Sequence, residues 1–212
     1  MTPLAIAIDL IRRGFKPLPI PVGEKGPRLP EWQHLTITAE NVERYFNGAA
    51  LNVGAQMGPM SNGLTDVDLD CPEAVRLAPY FLPPTNSKYG RPSKRKSHYL
   101  YRCPDPVDKA CIQLKDETQA MIVELRLGGG GKGSQSVMPG SVHTSGEHYA
   151  WDEDGAQATA ACEVRHPARS SLAGGRPPRG RHEGRRHLGS RWMGRGQRRS
   201  VHGGGPSGGR SR

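Results

Sequence analysis

Asp66, Asp68 and Asp70 alternate with Val67 and Leu69 in the run TDVDLD. In a β-strand, residues i, i+2 and i+4 share a face. The three carboxylates therefore project together, and Thr65, Val67 and Leu69 pack on the other side. Like charges at this spacing repel unless a cation lies among them. Hard divalent ions such as Mg²⁺ prefer carboxylate oxygen. The run thus reads either as a metal-binding strand or as an exposed acidic edge strand. Asp70 has a further reading as the N-cap of a helix that begins at Pro72.

Two other stretches carry groups capable of chemistry. Over 121–127, Ile122, Glu124 and Arg126 share one strand face, and Met121, Val123, Leu125 and Leu127 share the other. Glu124 is either one more carboxylate for a metal or a solvent-facing acid paired with Lys or Arg. Ser97-His98-Tyr99-Leu100-Tyr101 also alternates like a strand. An imidazole there can donate to a phosphate oxygen and add charge when protonated, or it can be satisfied by a neighbour. Lys94, Arg95 and Lys96 precede it. They either bind anionic groups such as phosphate or form a solvated charge run.

These groups need a scaffold. Thr2-Pro3 reads as an N-cap and first-turn proline, with Leu4, Ala7, Ile8 and Ile11 at helical spacing and Gly14 as the stop. Residues 15–20, with Pro17 and Pro19, predict an edge strand. A loop follows over 22–32, and Thr38 caps a helix running to Phe46. Residues 52–63 read as a glycine-rich lead into the acidic strand. A helix runs from Pro72 towards Tyr80, a long loop spans 83–96, and 128–133 is a glycine loop before a short strand at 135–138. Helices mixed with non-adjacent strands predict an α/β or α+β sandwich.

Charge divides the chain. The net charge is +10, but residues 164–212 hold 13 Arg and one acid, giving +12. Residues 1–163 hold 17 basic and 19 acidic residues, giving −2, so the basicity belongs to the tail. That tail has 12 Gly and lacks Ile, Phe and Tyr, so burial cannot offset its ordering entropy and it should be disordered. It reads either as an Arg/Gly-rich nucleic-acid-binding arm or as out-of-frame translation of GC-rich DNA. The boundary is expected near 160, with a domain over 1–160 and a tail over 161–212. No C-x-x-C pair is present, which argues against a zinc site and for reduced cytosolic thiols. No apolar run is long enough to span a membrane, so a cytoplasmic location is expected. The glycine run is not a Walker loop, because no G-x-x-x-x-G-K-[ST] opens a helix.

In chain order the motifs are KGPR with Trp32, NGLTDVDLDCPEA, GRPSKRKSHYLYR, IVELRLGGGG and SVMPGSVHTSGEHYAW. This order resembles the N-terminal primase–polymerase domain of bifunctional replication proteins, within the archaeo-eukaryotic primase superfamily; those proteins occur largely on phages, prophages and plasmids. The resemblance covers about residues 1–155. It implies a mixed sheet with RNA-recognition-like topology, flanked by helices and joined to a small N-terminal subdomain. It implies template-directed nucleotidyl transfer with two ions, Mg²⁺ or Mn²⁺, a DNA template, NTP or dNTP, and a replicative helicase as a partner.

Matched residue by residue, the resemblance makes Asp68, Asp70 and Glu124 catalytic. Asp68 lies five residues after Gly63, and Asp70 precedes Pro72-Glu73. Asp66 is an additional metal-site acid, and a register using Asp66 and Asp68 stays open. Lys96, Ser97, His98, Arg126, Ser141 and His143 are implied as nucleotide-binding. Lys88, Arg91, Lys94 and Arg95 are expected at nucleic acid. Tyr149 and Trp151 are expected to pack. The family's double proline is broken at Met138-Pro139, and its sequence is lost soon after Trp151. The rivals are a non-catalytic nucleic-acid binder acting through the tail and an inactive frameshifted fragment.

Overall fold

Thr2 opens the first helix, α1 (Pro3–Arg12): its hydroxyl accepts from the Ala5 amide at 3.2 Å, and Pro3 fills the first turn. The computed structural model describes residues 1–47, 50–103 and 107–152, and the backbone of 162–163. Ile6, Ala7 and Leu10 on α1 are buried. They pack with Phe15, Val53, Met57, Leu64, Leu100 and Met138 in one core. Strand β1 (Pro17–Pro21) is an edge, as its prolines require. It pairs with β2 (Leu51–Gln56), which pairs with β8 (Gln135–Val137) in an antiparallel three-stranded sheet.

β2 overturns the expected lead-in over 52–63. It is nearly all buried, so it shows no polar alternation. Gly54 marks a crowded point there. A Cβ would sit 2.6 Å from Ile20 Cδ1 and 2.8 Å from Gln135 Oε1. The helix expected over 38–46 is a single turn, α2 (Glu43–Phe46), and before it the Asn41 side chain accepts from the Thr38 amide at 2.8 Å.

The larger sheet has the order β6-β7-β3-β5-β4-β9, where β6 is Cys111–Lys115, β7 Met121–Arg126, β3 Leu64–Leu69, β5 Lys94–Arg102, β4 Lys88–Arg91 and β9 Ala150–Trp151. These neighbours pair antiparallel. β10 (Cys162–Glu163) adds a parallel pairing with Tyr101 and Arg102 of β5. The chain is a mixed α/β protein, as its pattern implied. β3 is buried along its whole length in the middle of this sheet, which excludes the exposed-edge reading. Gly63 feeds it from φ 75°, where a Cβ would lie 2.2 Å from the Cys103 carbonyl oxygen.

The loop expected over 83–96 contains β4 and the start of β5, a hairpin in which Arg91 pairs with Lys94. Gly, Pro and Ser in GRPSK mask the short strands that flank the turn. Helix α3 (Pro72–Phe81) packs on the opposite face of the sheet, with Val67, Leu69, Ala78, Tyr99 and Tyr101 forming a second core. β10 falls inside the segment expected to be disordered; the rest of that tail lies outside the described residues. Cys71, Cys103 and Cys111 are free thiols. Among the described residues no helix is long and apolar enough to cross a membrane.

Candidate active site

On the face of β3 that bears the acids, the environment changes residue by residue. Leu64 lies in the first core, Asp66 is fully buried, Asp68 is 7% exposed, and Asp70 reaches the surface just past the strand end. The register extends this row sideways. Asp68 stands opposite Glu124 of β7 and His98 of β5, and Asp66 stands opposite Arg126 of β7. Tyr89 of β4 is opposite His98 and stacks on its ring, with centroids 4.4 Å apart. One sheet face thus brings together four carboxylates, an arginine and a histidine that are distant in sequence.

Arg126 ties the acids together. Its Nη2 lies 2.6 Å from Asp68 Oδ2, its Nε 2.9 Å from Glu124 Oε2, and its Nη1 3.3 Å from Asp66 Oδ2. Burial alone would favour the neutral guanidine, but the three carboxylates outweigh it and raise the pKa. Asp66 is also subject to burial, which disfavours its charge. His98, Arg126 and Ser136 prevail, and its pKa is lowered. Asp68 behaves in the opposite way. Burial, together with the charges of Asp66 and Asp70, outweighs His98 and Arg126 and raises its carboxyl.

A cleft of about 790 Å³ opens above this row, lined by Asp68, Asp70, Glu124, Arg126 and His98 and by the cations Lys25, Arg91 and Lys94. Trp32, Tyr149, Ser97 and His143 also line it. Lys94 Nζ reaches Asp70 Oδ1 at 2.9 Å. Asp70 does not cap α3: the Cys71 sulfur accepts from the Ala74 amide at 3.4 Å and takes that role. This leaves Asp70 available to the cleft.

Among the described residues no group of three or more His, Cys, Asp or Glu is preassembled around a metal position, because Arg126 and Lys94 lie against the acids. The donor chemistry nevertheless suits a hard divalent cation. Three carboxylates face one cleft, and burial beside Asp66 and Asp70 raises the Asp68 carboxyl, so a cation beside it would favour its ionised form.

The structure does not bring every expected residue to this cleft. Asp66 lies beneath its floor, fully buried. Lys96 adopts φ 53°, which breaks the strand alternation. Lys96 and Arg95 instead reach the buried Asp152, at 3.2 Å and 3.3 Å. Lys88 lies over the Tyr99 ring on the apolar side. Ser141 Oγ accepts from the Val53 amide at 2.9 Å and donates to the Val53 carbonyl at 3.2 Å, securing β2. Tyr149 does more than pack: it meets His98 edge-on and lines the cleft. Gln113 and Ser136 escaped notice in the sequence. Gln113 donates to Glu124 at 2.8 Å, and Ser136 bonds Asp66 and Arg126. Strand alternation around each was the signal that could have found them.

The chain matches a family described as bifunctional DNA primase/polymerase, N-terminal, over residues 7–169. The match runs past the boundary expected near 160. No curated protein matches the chain.

Proposed function

The chain belongs to the family of bifunctional DNA primase/polymerase N-terminal domains, and from that premise we propose that its cleft catalyses template-directed nucleotidyl transfer from NTP or dNTP. The observation that carries this reading is the cross-strand row Glu124–Asp68–His98 on the floor of a cation-rimmed cleft. Asp68, Asp70 and Glu124 would hold two divalent ions, Mg²⁺ or Mn²⁺. When bound, such ions activate an attacking 3′-hydroxyl and neutralise charge on the leaving pyrophosphate.

The protein's own groups do the rest. Arg126 keeps Asp68 and Glu124 aimed at one point. His98 and the cleft cations Lys25, Arg91 and Lys94 neutralise and orient the triphosphate. The volume suits a nucleotide, and Trp32 and Tyr149 offer aromatic walls to a base. DNA template is the natural partner of this chemistry, and a replicative helicase would extend it in a phage, prophage or plasmid setting.

The test is incorporation of labelled nucleotides on a single-stranded template, with and without chelator. Wild-type protein should give extended products, and Asp68→Ala or Asp70→Ala should lower the rate by at least about 10²-fold. Undiminished synthesis by both variants, or degradation of the template in place of synthesis, overturns the reading.

A further inference from the structure

Asp66 sits in the acidic row but does not face the cleft that the row serves. Its side chain is 0% exposed. Three donors converge on its Oδ2: His98 Nδ1 at 3.0 Å, Arg126 Nη1 at 3.3 Å and the Ser136 hydroxyl. Ser136 comes from β8, in the other sheet, and also accepts from Arg126 Nη1 at 3.0 Å. The second sheet therefore closes over Asp66. An ion at Oδ2 would have to displace those donors. Asp66 Oδ1 is buried without a hydrogen bond among the described residues, a cost that a group kept only for packing would not justify.

We propose that Asp66 is a positioning residue: its Oδ2 holds the His98 ring with Nε2 turned to the cleft, anchors Arg126 across Asp68 and Glu124, and ligates no metal. This rests on the reading of the cleft as a nucleotidyl-transfer site. The ring geometry gives it force. His98 Nε2 is 3.7 Å from Asp68 Oδ1, too far for a hydrogen bond. That nitrogen is therefore free of a hydrogen bond to Asp68, and the His98 side chain lines the cleft. A carboxylate that accepts a hydrogen bond from Nδ1–H fixes the ring's orientation and holds a proton on that nitrogen, as carboxylates behind ligating histidines do. Asp68 and Asp70 lie further along the same face, towards the solvent end, where an ion can reach them. One strand thus supplies two kinds of acid, distinguished by depth.

The experiment compares wild type, Asp66→Asn, Asp66→Ala and Asp68→Asn. It measures Mn²⁺ affinity by electron paramagnetic resonance and, without primer, the affinity for a dideoxynucleoside triphosphate. Wild type should bind both, and Asp68→Asn should lose Mn²⁺ affinity by about tenfold or more. Failure of those two controls overturns the cleft reading, and the inference falls with it. With the controls intact, Asp66→Asn keeps an acceptor for Nδ1–H and should bind Mn²⁺ more tightly than Asp68→Asn does, and Asp66→Ala should weaken nucleotide binding about tenfold. Loss of Mn²⁺ binding in Asp66→Asn, or unchanged nucleotide affinity in folded Asp66→Ala, overturns the positioning role. Should Asp66→Ala not fold, the ¹⁵N spectrum of wild-type His98 decides. A proton on Nδ1 supports the role, and a ring protonated at Nε2 alone overturns it.

Discussion

The two faces of the large sheet are built from the same strands yet obey different rules. On one, Val67, Leu69, Tyr99 and Tyr101 bury against Ala78 of α3. On the other, the residues one step along each strand are Asp66, Asp68, His98, Glu124 and Arg126. The apolar face is held by non-directional contact, where any well-fitting volume serves. The charged face depends on partners in specific places, because each buried charge is costly until paired. Alternation in sequence thus separates what holds the sheet together from what the sheet presents.

Three changes probe that division. The largest effect is expected from Arg126→Met. It leaves Asp66, Asp68 and Glu124 without their shared cation, and removing one partner of a buried ionic set costs about 4 kcal/mol. Urea denaturation reads this, and a loss under about 1 kcal/mol would show that the charged face is not held by pairing. Next is Leu69→Ala on the apolar face. It should cost about 3 kcal/mol through its cavity and lost burial, while nucleotide incorporation by the folded fraction stays within about threefold. A fall in activity matching the fall in stability would break the comparison.

The smallest effect belongs to the rim. Glu147 accepts from the Ser93 amide and hydroxyl, both at 2.7 Å, and pairs with Arg91. The Ser93 bonds lead in depressing its pKa from 4.5 to about 2. A depressed carboxyl stabilises the fold above its unfolded value and loses that contribution as pH falls through the folded one. Its contribution is therefore complete above pH 4.5 and fades towards pH 2. A carbon-detected titration of the Glu147 carboxyl checks this, and an ordinary midpoint near 4.5 refutes it.

The chemistry was more legible than the scaffold. The three acids, Glu124 and Arg126 could be assigned to faces because a period of two survives where one face is polar. β2 gave no such pattern because nearly all of it is buried and Gly54 replaces a side chain. β4 was hidden beside turn residues, and where Lys96 takes a positive φ two of the three members of the basic run, Arg95 and Lys96, turn away from the cleft to Asp152. Depth was beyond the reach of periodicity. Asp66 and Asp68 are alike in sequence, and only the closure of β8 over Asp66 distinguishes them.

The parallel pairing of β10 with β5 ties the sheet's completion to the order of synthesis. Tyr101 and Arg102 extend beyond the end of β4's pairing, and their partners Cys162 and Glu163 come about sixty residues later. Among the described residues, β3 pairs one side of that stretch of β5, and strand pairing on its other side waits until the segment near 163 has been made.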